Sequence, residues 1–341
     1  MGHMPVRDIY NRPLKDLRIS VTDRCNFRCT YCMPLDEYEW LPKADILSFE
    51  EITRLARLFI TLGIEKIRLT GGEPLARRDL EKLVASLSSL AGLQDLCLTT
   101  NGSFLDEKAA ALKAAGLRRI NVSIDSLDAE KFRRMTKRGD LTKVLEGLFA
   151  AKRQGLHPIK INAVIEQGVN DDEILPLVAF AREHGFALRF IEYMDVGNVN
   201  HWQSRKIMSK QDILQIINTQ FPLREVGRAQ GSAPAVDYTF TDGGGDVGVI
   251  ASVTEPFCST CTRARLTADG KFVTCLFAQH GTDLKALLRQ GATDAELLDV
   301  IGRVWRQRRD RYSEERFTAL RSDTGYDPTV HKKIEMIRLG G

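Results

Sequence analysis

Six of the seven cysteines fall into two tight groups, Cys25-x3-Cys29-x2-Cys32 and Cys258-x2-Cys261-x13-Cys275. Three thiols this close in the chain can face one metal centre, and iron–sulfur cubanes are normally held by four thiolates. A triplet with no fourth cysteine nearby points to a cluster with one iron left open, a position that invites a ligand that is also a reactant. Structural zinc is the alternative. It usually takes four closed ligands in paired short spacings; nothing near the first group completes such a set, whereas His280 would complete a Cys3His site at the second. A zinc-stabilised binding module without catalysis is therefore a second reading of the chain. In either case the grouping reads as metal ligation in a reducing compartment, not as a disulfide framework. Cys97, alone in the apolar run Leu96-Cys97-Leu98, reads as a small core residue.

Cationic side chains form the second chemical signal. Arg263 and Arg265 alternate beside the second cysteine group, so on an extended segment both point to one face, and two guanidiniums on one face suit a polyphosphate. Arg18, Lys66, Arg68, Lys160 and Arg189 recur on segments that read as strands, with Lys66 sharing a face with Arg68 and Arg18 with Ser20. Singly, each reads as a solvated strand-end charge. Five together, pointing inward, need an anion to compensate them, and a nucleoside triphosphate would do so. In Thr70-Gly71-Gly72-Glu73-Pro74 the paired glycines let backbone approach a ligand, and their peptide groups can bond an amino acid's ammonium or carboxylate.

The elements that must position these residues follow a βα rhythm. Strands are expected at 17–21, 66–70, 95–99, 119–124, 159–165 and 188–193, and helices at 48–62, 79–90, 106–115, 142–154 and 172–184. Ser48-Phe49-Glu50-Glu51 has the form of a capping box. Six such units with right-handed crossovers give an open, partial barrel, because closure of the usual type needs eight. Ligands in such sheets bind beyond the carboxyl ends of the strands. The first cysteine group, the Gly-Gly motif, Thr99-Thr100-Asn101-Gly102, Ser123-Ile124-Asp125 and Glu192-Tyr193-Met194-Asp195 all fall there. After Asp195 the rhythm stops; a helix is expected at 209–217, short strands around a cysteine-bearing loop at 247–273, and late helices at 282–289 and 295–309.

At 341 residues the chain can bury a sizeable core. Its 49 basic and 45 acidic side chains leave a net charge of +4, too balanced to indicate nucleic-acid binding. The densest basic run, 303–316, mixes Asp and Glu with its arginines and reads as a solvated helical face. No apolar window is long enough to span a membrane and no apolar secretion segment precedes Pro5, so the expected location is cytoplasmic, with neither membrane nor nucleic acid as partner. Met1-Gly-His-Met4 reads as an expression scar.

Taken together, Cys25-x3-Cys29-x2-Cys32 with its Tyr31, Gly71-Gly72-Glu73-Pro74 and Ser123-Ile124-Asp125 resemble the radical S-adenosylmethionine (SAM) superfamily over about residues 14–196. That resemblance implies a [4Fe–4S] cluster on the three thiolates, whose open iron chelates the amino and carboxylate groups of SAM, and reductive cleavage of SAM to a 5′-deoxyadenosyl radical. With the second triplet, Thr262-Arg263-Ala264-Arg265 and the terminal Gly340-Gly341, the whole chain is similar to the GTP-cyclising branch of that superfamily, which acts first in molybdenum-cofactor biosynthesis. Another two-cluster radical SAM protein, acting on a peptide, is the nearest competing reading; it would not require so many inward cations.

The resemblance implies an α/β fold, a partial (βα)6 TIM-like barrel with a C-terminal extension that carries a second [4Fe–4S] cluster and closes the barrel opening. It divides the chain into a scar and N-terminal arm (1–13), a radical SAM barrel (14–196) and an auxiliary-cluster region with a Gly-Gly tail that enters the active site (197–341). Cys25, Cys29 and Cys32 would hold one cluster, and Cys258, Cys261 and Cys275 the other, whose open iron takes the guanine of GTP. Tyr31, Gly72, Ser123 and Met194 would bind SAM. Arg18, Lys66, Arg68, Thr99, Lys160, Arg189, Arg263 and Arg265 would bind GTP, with Arg18, Arg263 and Arg265 closest to the chemistry. From the residues alone, Met194 serves equally as a core filler, and either Thr99 or Thr100 could face inward. The implied product is 3′,8-cyclo-7,8-dihydro-GTP. Implied partners are a reductant protein, a downstream cyclic pyranopterin monophosphate synthase and a second copy in a homodimer.

Overall fold

Along the first two strands, Leu17/Ile19 and Ile67/Leu69 are buried while Arg18, Lys66 and Arg68 lie on the opposite, partly open face. The period of two that a pleated strand imposes thus sorts apolar side chains toward the helices and cations away from them. The computed structural model describes residues 5–322 and 325–340. The expected scar at Met1 to Met4 and the last residue, Gly341, lie outside the described residues.

In chain order the elements are β1 (Asp16–Ser20), α1 (Phe49–Thr61), β2 (Lys66–Thr70), α2 (Leu80–Ser88), β3 (Asp95–Thr100), α3 (Leu105–Ala114), β4 (Arg119–Ser123), α4 (Ala129–Thr136), α5 (Leu141–Arg153), β5 (Ile159–Ile165), α6 (Ile174–His184) and β6 (Ala187–Glu192). There follow α7 (Lys210–Asn218), β7 (Leu223–Gly227), β8 (Val236–Phe240), β9 (Asp246–Ile250), β10 (Arg263–Leu266), β11 (Lys271–Val273), β12 (Thr282–Asp283), α8 (Leu284–Arg289), α9 (Asp294–Arg306), α10 (Tyr312–Leu320) and α11 (Met336–Leu339). The capping box forms at α1: Ser48 Oγ accepts from Glu51 N (3.1 Å) and Glu51 Oε2 from Ser48 N (2.7 Å).

The twelve strands among the described residues make one mixed sheet, in the order β12-β11-β10-β1-β2-β3-β4-β5-β6-β9-β8-β7. β1 to β6 are parallel neighbours in sequence order. The C-terminal chain extends both edges: β10 adds parallel to β1, β9 adds parallel to β6, and two short antiparallel strands follow outside each. The principal core lies between the sheet and its helices, and includes Phe59 edge-on to Phe272 and the fully buried Trp305.

Three helices differ from the sequence expectation. α4 precedes the expected α5, its N-terminus capped by Asp128, whose carboxylate accepts from Lys131 N (2.7 Å). Its eight residues are too few for periodicity to reveal. α10 and α11 were also unforeseen. The run 303–316 is not a solvated face throughout: α9 ends at Arg306, and Arg308 and Arg316 are 4% and 1% exposed. Burial is tolerated because each guanidinium meets carboxylate, Arg308 at Asp8 and Asp310, Arg316 at Asp195.

Candidate active site

β1 leads into the loop that carries Cys25, Cys29 and Cys32, and β2 leads into the Gly-Gly motif that straps it. Gly72 N donates to Thr22 O and Glu73 N to Arg24 O, both at 2.7 Å. A Cβ on Gly72 would stand 2.3 Å from Arg24 O, and one on Gly71 would stand 2.7 Å from Thr22 O. These glycines are therefore required for the strap to lie against the cysteine loop, a packing role beside the ligand-approach role expected from sequence. α4 supports the other side, its Met135 and Thr136 carbonyls accepting from Thr30 N and Arg28 N at 2.9 Å each.

Two carboxyl groups lie under this loop. Glu73 accepts from Thr100 Oγ1 (2.6 Å), Asn101 N (2.7 Å) and Leu75 N (2.9 Å), and burial pushes its carboxyl up to about 7. Asp125 accepts from Tyr31 OH (2.7 Å) and Val164 N (2.8 Å), and burial pushes it up to about 6. Burial also raises the thiols of Cys25 and Cys32, to about 11 and about 12, with Glu73 adding at the first and Cys25 at the second.

The second group has opposite surroundings. Cys258 starts a short 3-10 turn closed by Cys261 N donating to Cys258 O (3.2 Å), and β10 follows directly, so Arg263 and Arg265 stand beside the thiols. Burial would raise the Cys261 thiol, but the Arg263 and Arg308 guanidiniums outweigh it and bring the thiol down to about 6. Cys275, two residues past β11, is pushed up to about 12, by burial first and then by Asp310.

Register explains how the cations meet. Arg265, Arg18 and Arg68 occupy one row across β10, β1 and β2. Burial and the neighbouring Arg265, Arg68 and Arg263 push Arg18 well below the ordinary arginine value; burial and then Arg263 bring Arg265 to about 10. On β5, burial and then Arg189 bring Lys160 to about 8. Lys66 lies 3.6 Å from Asp16 and 3.9 Å from Asp95, and Arg189 lies 3.0 Å from Asp237. Arg68 Nη1 donates to Thr99 Oγ1 (2.9 Å), whereas the Thr100 hydroxyl is committed to Glu73.

All six cysteines of the two triplets line one cavity of about 520 Å³. So do Tyr31, Gly72, Ser123 and Met194, and so do Arg18, Lys66, Arg68, Thr99, Lys160, Arg189, Arg263 and Arg265. Met194 packs against two buried clusters, Tyr193/Trp202/Val253 and Val196/Phe277/Met336, so it is both lining and filler. His280, the residue a Cys3His zinc site would use, is exposed and apart from that lining. All six cysteines are free of disulfides and, as residues, partly buried. Among the described residues no three His, Cys, Asp or Glu side chains converge on a single ion; a cubane, whose thiolates each take a different iron, does not require it.

Sequence reasoning missed Arg119 and Arg308, which also line the cavity. Arg119 shows the same alternation as the other strand cations and pairs with Asp95, Nε to Oδ1 at 2.8 Å, so its signal was legible. The tail is docked. Met336 and Ile337 line the cavity, and a Cβ on Gly340, whose φ is 72°, would stand 2.5 Å from Thr70 Cγ2 and 2.9 Å from Gly71 N. Asp195, just past β6, ties the tail down: it accepts from Lys333 Nζ (2.8 Å), Tyr312 OH (2.6 Å), Tyr326 OH and Arg316.

Residues 19–181 match the model of the radical SAM superfamily, and residues 186–314 match the molybdenum cofactor synthesis C family. A solved structure of Streptococcus suis SuiB bound to its precursor peptide SuiA is similar in fold, with a TM-score of 0.62 at 15% identity, covering 92% of this chain and 68% of that one. SuiB bound to S-adenosylmethionine gives 0.58 at 15% identity, covering 97% and 78%. Fold and sequence together define a radical SAM protein of the α/β class.

The particular branch follows from closer relatives. A GTP 3′,8-cyclase of Acidothermus cellulolyticus is 46% identical over 99% of both chains, and one of Staphylococcus haemolyticus is 44% identical over 98% of this chain and 99% of its own. The chain belongs to the GTP 3′,8-cyclase family. Among the described residues no helix is long and apolar enough to cross a membrane.

Proposed function

We propose that this chain cyclises GTP to 3′,8-cyclo-7,8-dihydro-GTP in a SAM-dependent radical reaction, the first step of molybdenum-cofactor biosynthesis, with the two ligands sorted to opposite ends of one cavity. The observation that carries the reading is the charge asymmetry of that cavity. At one end the Cys25/Cys29/Cys32 thiols sit over Glu73 and Asp125; at the other, Cys258, Cys261 and Cys275 stand among arginines. SAM brings a sulfonium and an ammonium, and a cation beside raised carboxyls favours their ionised forms. GTP brings a polyanion, which offsets the burial and then the cation crowding that push Arg18, Arg265 and Lys160 down.

In this reading each triplet holds a [4Fe–4S] cluster with one open iron. When bound, the clusters supply the electron and the open coordination positions that radical chemistry needs. The protein's residues position and shield. Tyr31, Gly72, Ser123 and Met194 hold SAM. Lys66, Arg68, Lys160 and Arg189 hold the triphosphate as charge-assisted donors, with Thr99 fixing Arg68. Arg18, Arg263 and Arg265 orient the nucleoside beside the second triplet. Met336, Ile337 and Gly340 cover the site from the tail side and limit water.

The sheet is read as a partial barrel, formed by residues 14–196, whose opening is closed by the auxiliary-cluster region, 197–341. The addition of β9 and β10 at opposite edges of β1–β6 supports this. A protein reductant, a downstream cyclic pyranopterin monophosphate synthase, a homodimer and a cytoplasmic location complete the proposal, the last supported by the free thiols.

The test is anaerobic turnover. Reduced, iron-loaded protein given SAM and GTP is expected to release 5′-deoxyadenosine and a product that oxidises to a fluorescent pterin. Formation of 5′-deoxyadenosine at the same rate without GTP would point to another substrate.

A further inference from the structure

The N-terminal arm, residues 5–13, is not a passive lead-in to the sheet. Arg12 Nη1 donates to Cys258 O (2.8 Å) and to Asp310 O (2.9 Å), while its Nε donates to Asp8 Oδ2 (2.6 Å). Asp8 in turn lies 3.6 Å from Arg308 Nη1. Arg308 fans its donors over three acceptors: Nε to Asp310 Oδ2 (3.2 Å), Nη1 to Cys261 O (2.8 Å) and Nη2 to Cys261 Sγ (3.2 Å). Asp310 also accepts from Thr274 Oγ1 (2.6 Å), next to Cys275. The Arg308 guanidinium stacks on Trp305, 4.5 Å from the ring centre, and the Trp305 indole N–H donates to Arg12 O (3.1 Å).

This clamp donates to the Cys261 thiol and to the Cys258 and Cys261 carbonyls and reaches Thr274 beside Cys275; three of its four charged side chains are almost wholly withdrawn from water, while Asp310 is 30% exposed. Arg12, Asp8 and Arg308 have side chains 2%, 0% and 2% exposed. Burying them costs solvation unless their partners are fixed. Two carboxylates and two guanidiniums balance within the network, and one of the donors is left for sulfur. A donor held on a cluster-ligating thiolate stabilises the more negative, reduced cluster and so raises its potential.

We infer that Arg308, held in place by Asp8 of the N-terminal arm and by Asp310, is a positioning residue of the second cluster, donating to the Cys261 thiolate and raising that cluster's reduction potential. The inference rests on the reading of Cys258, Cys261 and Cys275 as cluster ligands. Arg308 acts through sulfur and the Cys261 backbone, and GTP need not touch it.

The experiment compares wild type, Arg308→Gln, Arg308→Lys and Asp8→Asn after anaerobic reconstitution, by iron and sulfide content and by redox titration of the reduced-cluster electron paramagnetic resonance signals without substrate. Wild type is expected to hold about eight iron, two cubanes. In Arg308→Gln the second cluster's midpoint is expected to move to lower potential, with the first cluster unmoved. In Arg308→Lys it is expected to shift less, because charge is kept and the planar fork is lost. Asp8→Asn should move it in the same direction as Arg308→Gln. If Arg308→Gln instead assembles only about four iron with the first signal intact, holding of the triplet is supported and Arg308→Lys decides the potential. Eight iron with unchanged midpoints in both Arg308 variants would overturn the inference while leaving the ligand reading standing. About four iron in wild type would overturn both.

Discussion

The two cysteine triplets line the same cavity, yet their surroundings are opposite in charge. The first lies on a loop strapped by glycine backbone and underlain by Glu73 and Asp125, and its thiols are held well up. The second lies among Arg263, Arg265 and Arg308; Arg263 and Arg308 bring Cys261 down to about 6, while burial keeps Cys258 and Cys275 raised. Similar ligand sets in different dielectric and charge environments are expected to favour different partners. The contrast teaches that two thiol triplets of similar spacing can stand in different charge settings, and in the proposed reading those settings sort the two ligands.

The largest effect should come from emptying the cationic end. Arg263→Ala with Arg265→Ala removes two charge-assisted donors worth ~1.5–3 kcal/mol each, so GTP should bind roughly 10²–10⁴-fold more weakly by calorimetry while SAM affinity is unchanged. Equal losses for both ligands would break the comparison. Next, Gly72→Ala drives a Cβ into the Arg24 carbonyl. We expect metal analysis to show about half the iron lost, with the first cluster's signal missing and GTP binding kept.

A smaller effect should follow pH. Lys160 is brought down to about 8 in the free protein, and a bound phosphate favours its charged form. GTP binding therefore takes up a proton above that value: affinity should be flat below about pH 7 and weaken as pH rises through 8, by at most about tenfold per unit. Lys160→Arg should flatten the profile, and SAM binding should show no such dependence. Smallest is Thr99→Val, which removes the hydroxyl that accepts from Arg68 Nη1 and, by loosening Arg68 without removing its charge, should weaken GTP binding by roughly two- to tenfold.

Much of this was legible in the sequence because the signals were local. The cysteine spacings, the alternation of Lys66 with Arg68 and the Ser48 capping box depend on neighbours a few residues away, and each is found where expected. What escaped depends on distant partners. α4 is too short to announce itself, yet its last carbonyls support the first cysteine loop. Arg308 and Arg316 looked solvated because their carboxylates, Asp8 and Asp195, lie about 300 and about 120 positions away in the chain, and only the fold brings them together. Thr99 and Thr100 read alike in the sequence, and only the fold gives them different partners, Thr100 donating to Glu73 and Thr99 accepting from Arg68.

The central claim, that each triplet serves its own ligand, is tested most directly by equilibrium binding of SAM and GTP to two anaerobically reconstituted variants, one with Cys25, Cys29 and Cys32 replaced by alanine and one with Cys258, Cys261 and Cys275 replaced. The first should lose SAM and keep GTP; the second should lose GTP and keep SAM. Loss of both ligands to the same degree in either folded variant, or loss of neither, would contradict it.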